Sequence, residues 1–287
     1  MTTDRGGEPR LDPEIGYWLE MAEVHATRDY FAAAIEAMPG NPLRLATRDI
    51  GGGVAVTLGG EDGHPFFSRT LGLGIERPAT EADLDDVIAF YAEHGRTTVS
   101  IPIAPQAEPP DLTDWAAARG FPESSRWPKL SRSLTALPDP AQTDLRVEAI
   151  GPGRADAFAD IVMAAFDFDD ALRSMLPPLV GRSGWLHYLA FDGEEPVATG
   201  AVHLRDDIAW LGFGATLPSH RGRGGQSAIF HRRLADARDR GCRLAVSETG
   251  PDTPEEPNPS FRNMLRLGFQ LGYLRPNFVR EARSPGA

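Results

Sequence analysis

The sequence predicts a mixed α+β fold in two domains, each a twisted, mostly antiparallel sheet flanked by helices. Three observations predict it. A chain of 287 residues has room for about two ordinary domains. One order of elements (strands, helix, strand, short helix, Gly-Phe pair, closing strand) can be read twice, as in a distant internal duplication. A polar, proline-bearing stretch, Leu137-Pro-Asp-Pro-Ala-Gln-Thr143, separates the two readings. The boundaries are therefore 1–138 for the first domain, 139–143 for the linker and 144–287 for the second.

In the first domain, Asp12-Pro13 opens a long helix. Strands follow at 43–48, 54–58 and 66–73, with glycine-rich turns at Gly51-Gly52-Gly53 and Gly60-Glu61-Asp62-Gly63. Thr80-Glu81-Ala82-Asp83 starts a helix that runs to about His94, 97–103 is a buried strand, and 112–119 is a short helix ended by Gly120-Phe121. The second domain repeats this order. The alternation of 145–150 reads as a strand, and Phe158, Ile161, Val162 and Ala165 give the next segment a helical period. A short helix near 170–176 stops at Pro177-Pro178, and runs at 185–191, 197–204 and 208–216 form a three-strand meander. A helix after the glycine-rich loop ends at Gly241, and 243–248 is a strand. Asn258-Pro259 caps a helix closed by Gly268, and strands at 269–273 and 277–280 finish the chain.

Composition narrows the function. A formal charge of -12 opposes general nucleic-acid binding, which requires a basic field. No apolar run approaches a membrane span, and the first ten residues lack the apolar core of a signal peptide. The single cysteine, Cys242, permits neither a disulfide nor a thiolate metal site within the chain and reads as a small core residue. The histidines show no metal-ligand spacing, so no metal is expected, and the expected compartment is the cytoplasm. His220, beside the glycine loop, is at most a supplementary phosphate contact. Lys129 is the only lysine; it reads as part of an arginine-biased composition.

The chemistry concentrates in Arg221-Gly222-Arg223-Gly224-Gly225-Gln226, between a strand and a helix. The first-turn N–H groups of a helix have no intrahelical acceptors, and with the dipole they favour an anion, while glycine lets the backbone approach it. A Walker loop would place Lys-Ser or Lys-Thr after the last glycine, where Gln226-Ser227 stands. A dinucleotide fingerprint would need glycine at position 227 and a parallel βαβ unit. The equivalent first-half stretch, Gly72 to Pro78, puts Glu76 and Pro78 where donors should face phosphate.

The loop resembles motif A of the Gcn5-related N-acetyltransferase (GNAT) superfamily, with Arg221, Gly224 and Gln226 at the motif positions; Gln226 stands where a small residue is usual. The element order, Asn258 to Asn263, and Leu267-Gly268-Phe269 extend the resemblance over about 144–280, and the first half resembles a degenerate tandem copy. The resemblance implies an acetyl-CoA-dependent (or other acyl-CoA-dependent) N-acetyltransferase, in which a small-molecule amine or a protein amino group attacks the thioester directly in a ternary complex. It implies that Phe213, Ala215, Thr216 and Leu217 flank the thioester and pantetheine, and that Arg221, Gly222, Arg223, Gly224, Gly225, Gln226 and Ser227 hold the pyrophosphate. Asn258 is a further cofactor contact unless its capping role absorbs it. The usual tyrosine acid has Met264 in its place, which leaves Tyr273, Ser260 or water. Glu248, at a strand end beside the expected acceptor cleft, is the first choice of base, and Asp167, Asp169 and Asp170 are candidate acceptor selectors. The alternative is a CoA-binding module without turnover.

Overall fold

The computed structural model describes residues 11–59, 67–166 and 170–281; the turn expected at 60–63 and the candidates Asp167 and Asp169 lie outside the described residues. The first half comprises α1 (Pro13–Ala37), β1 (Ala46–Ile50), β2 (Gly53–Thr57), β3 (Arg69–Leu71), α2 (Glu81–Glu93), β4 (Val99–Pro102), α3 (Leu112–Ala118) and β5 (Glu123–Ser133). The second comprises β6 (Arg146–Ile150), α4 (Ala155–Phe166), β7 (Trp185–Asp192), β8 (Glu195–Arg205), β9 (Ile208–Thr216), α5 (Gly225–Asp239), β10 (Leu244–Glu248), α6 (Pro259–Arg266) and β11 (Gln270–Arg280). The local signals act as their chemistry dictates. Asp12 accepts the Glu14 N–H at 2.8 Å to open α1, and Thr80 with Asp83 forms a complete capping box on α2. The expected helix near 170–176 is instead a 3-10 helix over Asp170–Met175, after which Pro177 opens a separate 3-10 turn, Pro177–Leu179.

All strands join one sheet in the order β1-β2-β3-β4-β11-β5-β10-β9-β8-β7-β6. The two halves are related about its centre. In each half a meander leads to a parallel neighbour, β3 to β4 and β9 to β10. Each half's closing strand then crosses over: β5 pairs with β10 of the second half, and β11 pairs with β4 of the first. The crossed strands pair with each other from Gln270↔Ser131 to Phe278↔Glu123. Neither half therefore completes its sheet with its own last strand, an exchange within one chain of the kind seen between swapped protomers. The two strands expected after Gly268 are one, β11, with register shifts at Leu271/Tyr273 and Asn277/Phe278 that let it pass through Pro276.

One face of the sheet is covered by α1 and α4, and the aliphatic faces of both halves meet there. The second half's other face packs under α5 and α6, and the first half's under α2 and α3. No helix among the described residues is long and apolar enough to cross a membrane.

Candidate acyl-transfer site

β9 and β10 pair at only three positions, ending at Val246↔Trp210. Beyond that point β10 continues to Glu248 against β5, while β9 continues to Thr216 against β8. The two parallel strands thus part and leave a wedge. Its β9 side is shaped by a bulge against β8, between Thr199 and Ala201. There Phe213 takes φ +53°, in the left-handed region that non-glycine residues seldom occupy. Thr199 Oγ1 donates to the Phe213 carbonyl at 2.8 Å, and the ring packs edge-on to Tyr30, Phe158 and Trp210. Gly212 is glycine because a Cβ there would lie 2.1 Å from the Trp210 ring. Beneath the bulge the buried Arg233 donates to the Ala201 and Gly212 carbonyls, both at 3.1 Å, and burial pulls its guanidinium down to about 9.

At the open end of the wedge the chain runs through Leu217 and the glycine loop into α5. The α5 N-cap is Gly224, at φ +80° and without a capping side chain, so the first-turn donors face outward. A Cβ on Gly224 would meet the Gln142 carbonyl at 2.8 Å, because Gln142 and Thr143 lie across the loop, where Thr143 Oγ1 donates to the Arg223 carbonyl at 2.7 Å. The corresponding helix of the first half, α2, is closed. Its box uses the first-turn donors, Arg77 grips Asp83 through two hydrogen bonds of 2.9 and 2.6 Å, and Gly74 is covered by Glu108.

The expected site residues divide on this geometry. Phe213, Ala215 and Thr216 lie on β9 beyond its last pairing with β10, and Leu217 follows the strand end. Arg221 is exposed, and among the described residues its side chain makes one hydrogen bond, a 3.4 Å contact to the Thr216 carbonyl. Gln226 braces the mouth, donating to the carbonyls of Thr199 and Ala215 and to Thr216 Oγ1 at 2.9, 2.6 and 3.1 Å. Arg223 is paired with Asp144 and with Asp192, the latter at 2.5 Å, and His220 also turns to Asp192. Its guanidinium holds the loop rather than facing outward. The Ser227 hydroxyl is given to Asn263 at 2.8 Å. Asn258 is a correction: its carboxamide oxygen caps α6, and its nitrogen donates to Thr249 Oγ1 and the Gly250 carbonyl. Tyr273 is another. Its hydroxyl donates to Glu20 at 2.7 Å and accepts from Gln106 at 3.0 Å, and β5 and β10 stand between its strand and the wedge. Cys242 is buried, which pushes its thiol up to about 11. Asp170 is exposed beside the undescribed residues.

Glu248 ends β10 at the wedge and accepts from Trp210 Nε1 at 3.1 Å and from Lys129 Nζ at 3.2 Å. Lys129 also donates to Glu23 at 2.8 Å. Arg275 donates to Glu20 at 3.0 Å and to Glu23 at 2.7 Å, and Arg69 pairs with Glu23 at 2.8 Å. Three acids and three bases are thus gathered beneath α1, a balance that buried charge requires. Burial opposes the charge on Glu23, but Arg275, Lys129 and Arg69 overcome it and hold its pKa well below the usual carboxylate range. Glu248 shifts the other way, raised by burial and by the charge of Glu23 against the pull of Lys129. Sequence reasoning missed Glu23, Lys129, Arg275 and Arg233. The available signal was charge at positions whose spacing places them on buried faces: Glu20 and Glu23 in the middle of α1, and a solitary lysine in a strand.

A hollow of about 370 Å³ lined by His25, Arg28, Asp29 and His203 lies at the Arg205 end of β8, by the start of β9 rather than its wedge end. Among the described residues no cluster of metal-ligating side chains is found.

Residues 156–269 match the profile of the Acetyltransferase (GNAT) family. The second half carries a GNAT domain. No curated protein matches the sequence. Among solved structures, a GCN5-related N-acetyltransferase from Kribbella flavida is 17% identical, with 98% of each chain covered and a TM-score of 0.62. A tandem GNAT protein from the clavulanic acid biosynthesis pathway is 18% identical, covering 94% of this chain and 95% of that one, at a TM-score of 0.60. A GCN5-related N-acetyltransferase from Sphaerobacter thermophilus is 14% identical over 96% and 95% of the two chains, at 0.56. At such identities the likeness is one of fold, and it spans both halves, so the GNAT architecture extends across the exchanged strands.

Proposed function

We propose that the GNAT domain transfers an acyl group, acetyl in the first instance, from acyl-CoA to an amine. The observation that carries this reading is the uncapped N-terminus of α5, opening beside a wedge between two parting parallel strands. The residues fit the donor molecule: glycines at 222, 224 and 225 and first-turn N–H groups suit a pyrophosphate, and Arg221 adds a positive charge with no ion pair among the described residues. An acyl-CoA supplies an activated thioester carbonyl. The chain's own work is to orient the reactants in the wedge and to take the proton that the amine nitrogen loses as the amide forms. Glu248 is the base of this proposal, since its carboxyl ends at the wedge with its pKa raised. The departing thiolate takes its proton from water or from Ser260, in the first turn of α6.

A second reading, CoA binding without turnover, draws on Met264, which is 1% exposed in the core at the position of the usual acid. One experiment separates the two. Acetyl-CoA is titrated calorimetrically into the wild type and Arg221→Ala, and free thiol is then followed across an amine panel. Micromolar binding, weakened about tenfold or more in the variant, together with thiol release supports transfer. Binding without thiol release supports the second reading, and no binding to the wild type overturns both.

A further inference from the structure

The charge cluster beneath α1 is assembled from both halves. Glu20, Glu23, Arg69 and Lys129 come from the first, Glu248 and Arg275 from the second. Of these, Glu248 is the member at the wedge, and Lys129 is its ion-pair partner. The two face each other across the exchanged pairing, Glu248↔Lys129, and the next strand continues the row with Tyr273↔Lys129. Lys129 is the only lysine of the chain, it is 1% exposed, and the crossover of β5 is what brings it beside β10.

Resting on the acyl-transfer reading, we propose that Lys129 is the positioning residue of Glu248: its ammonium, delivered by the first half's exchanged strand, sets how far Glu248 is available to take the amine proton. The ammonium is shared unequally, 2.8 Å from Glu23 and 3.2 Å from Glu248. Glu23 pairs further with Arg275 and Arg69, whereas among the described residues the side chain of Glu248 is hydrogen-bonded by Lys129 and Trp210, with Arg275 and Arg69 acting on it at longer range. Glu248 is thus the less neutralised of two carboxylates that share one cation, which raises its affinity for the proton a base must take up. Glu23 and Glu20 from α1, Arg275 from β11 and Arg69 from β3 complete the field around it. The first half then acts as an electrostatic part of the acyl-transfer site.

Opposite shifts test this. The Trp210 indole N–H, assigned by its loss in Trp210→Phe, reports Glu248 directly in nitrogen–proton correlation spectra recorded against pH, without substrate. Lys129→Met should raise the Glu248 midpoint by about one pH unit or more, Glu23→Gln should lower it, and Lys129→Arg should keep it near the wild type. In turnover, the acidic limb of the kcat profile should move with the midpoint, while acetyl-CoA affinity stays within about twofold. Should Lys129→Met not fold, Glu23→Gln still decides the direction. A Glu248 midpoint that coincides with the wild type in Lys129→Met or in Glu23→Gln overturns the proposal. Absent acetyl-CoA binding by the wild type overturns instead the reading on which it rests.

Discussion

The carboxamide of Gln226 lies 2.6 Å from the carbonyl oxygen of Ala215, tying the first turn of α5 to the strand it follows. Its further bonds, to Thr199 and Thr216, make it the clasp of the wedge mouth. Truncation in Gln226→Ala leaves partly buried carbonyls without a donor, so stability should fall by about 1–3 kcal/mol in urea denaturation. Acetyl-CoA affinity should fall as well, because the loop is no longer held in the shape its ligand needs. A variant of full stability and affinity would show the clasp to be incidental.

The two arginines of the loop should separate in kind. Arg221→Ala removes an exposed charge with no ion pair among the described residues, so affinity for CoA should drop while the unfolding temperature stays put. Arg223→Ala breaks the link between Asp144 and Asp192, so it should lower the unfolding temperature and weaken CoA only through the loosened loop. Raised ionic strength should mimic part of the second effect, since these pairs are near the surface. Melting curves and calorimetry on both variants decide it.

Tyr273→Phe should leave acyl transfer essentially unchanged. The hydroxyl is spent on Glu20 and Gln106, and burial, then Glu20, drives its pKa well up. Loss of the donor leaves a buried carboxylate oxygen short of one bond, at a cost of about 1–3 kcal/mol. A large fall in kcat with unchanged stability would restore Tyr273 as an acid.

Acid should destabilise the fold in a window set by histidine. Burial lowers His187 to about 3 and His203 to about 4. Below about pH 6.5 the unfolded chain takes up protons that the folded chain refuses, so stability falls as pH drops toward 4, by up to about 1.4 kcal/mol per pH unit for each residue. Glu248 works in the opposite sense above the carboxylate range, since a raised carboxyl favours the fold as pH falls. Among the described residues His187 has no hydrogen-bond partner on either ring nitrogen, and it stacks on Trp185. His187→Phe should therefore hold its stability at pH 7 and flatten the slope between pH 6.5 and 4, measured by urea midpoints. A slope equal to the wild type's would exclude His187 as its source.

Local chemistry explains what was legible in the sequence. Asp12-Pro13, Thr80 with Asp83, and Asn258-Pro259 mark helix starts because each side chain caps donors two or three residues away, and the glycine loop is contiguous. The crossing of β5 and β11 was not legible, because both closing strands satisfy the same alternation whether they pair at home or across. The partners of Lys129 were not legible for the same reason: they are Glu23, 106 residues before it, and Glu248, 119 residues after it. Tyr273 fits a hydroxyl near a Gly-Phe exit by sequence distance, yet the crossover carries its strand away from the wedge.

That crossover makes the final prediction. Each half holds the other's closing strand, and the central β5–β11 pair belongs to both. Arg275 of the second half is further bound to Glu20 and Glu23 of the first, so opening either half strands buried charge in the other, which is strongly unfavourable. The intact protein should therefore unfold in one cooperative transition despite its two-domain sequence plan. Calorimetry should give a single peak whose van't Hoff and calorimetric enthalpies agree. Arg275→Met should move that one peak down as a whole rather than split it. Two peaks, with only one sensitive to Arg275, would mean that the exchanged strands join two independently stable units.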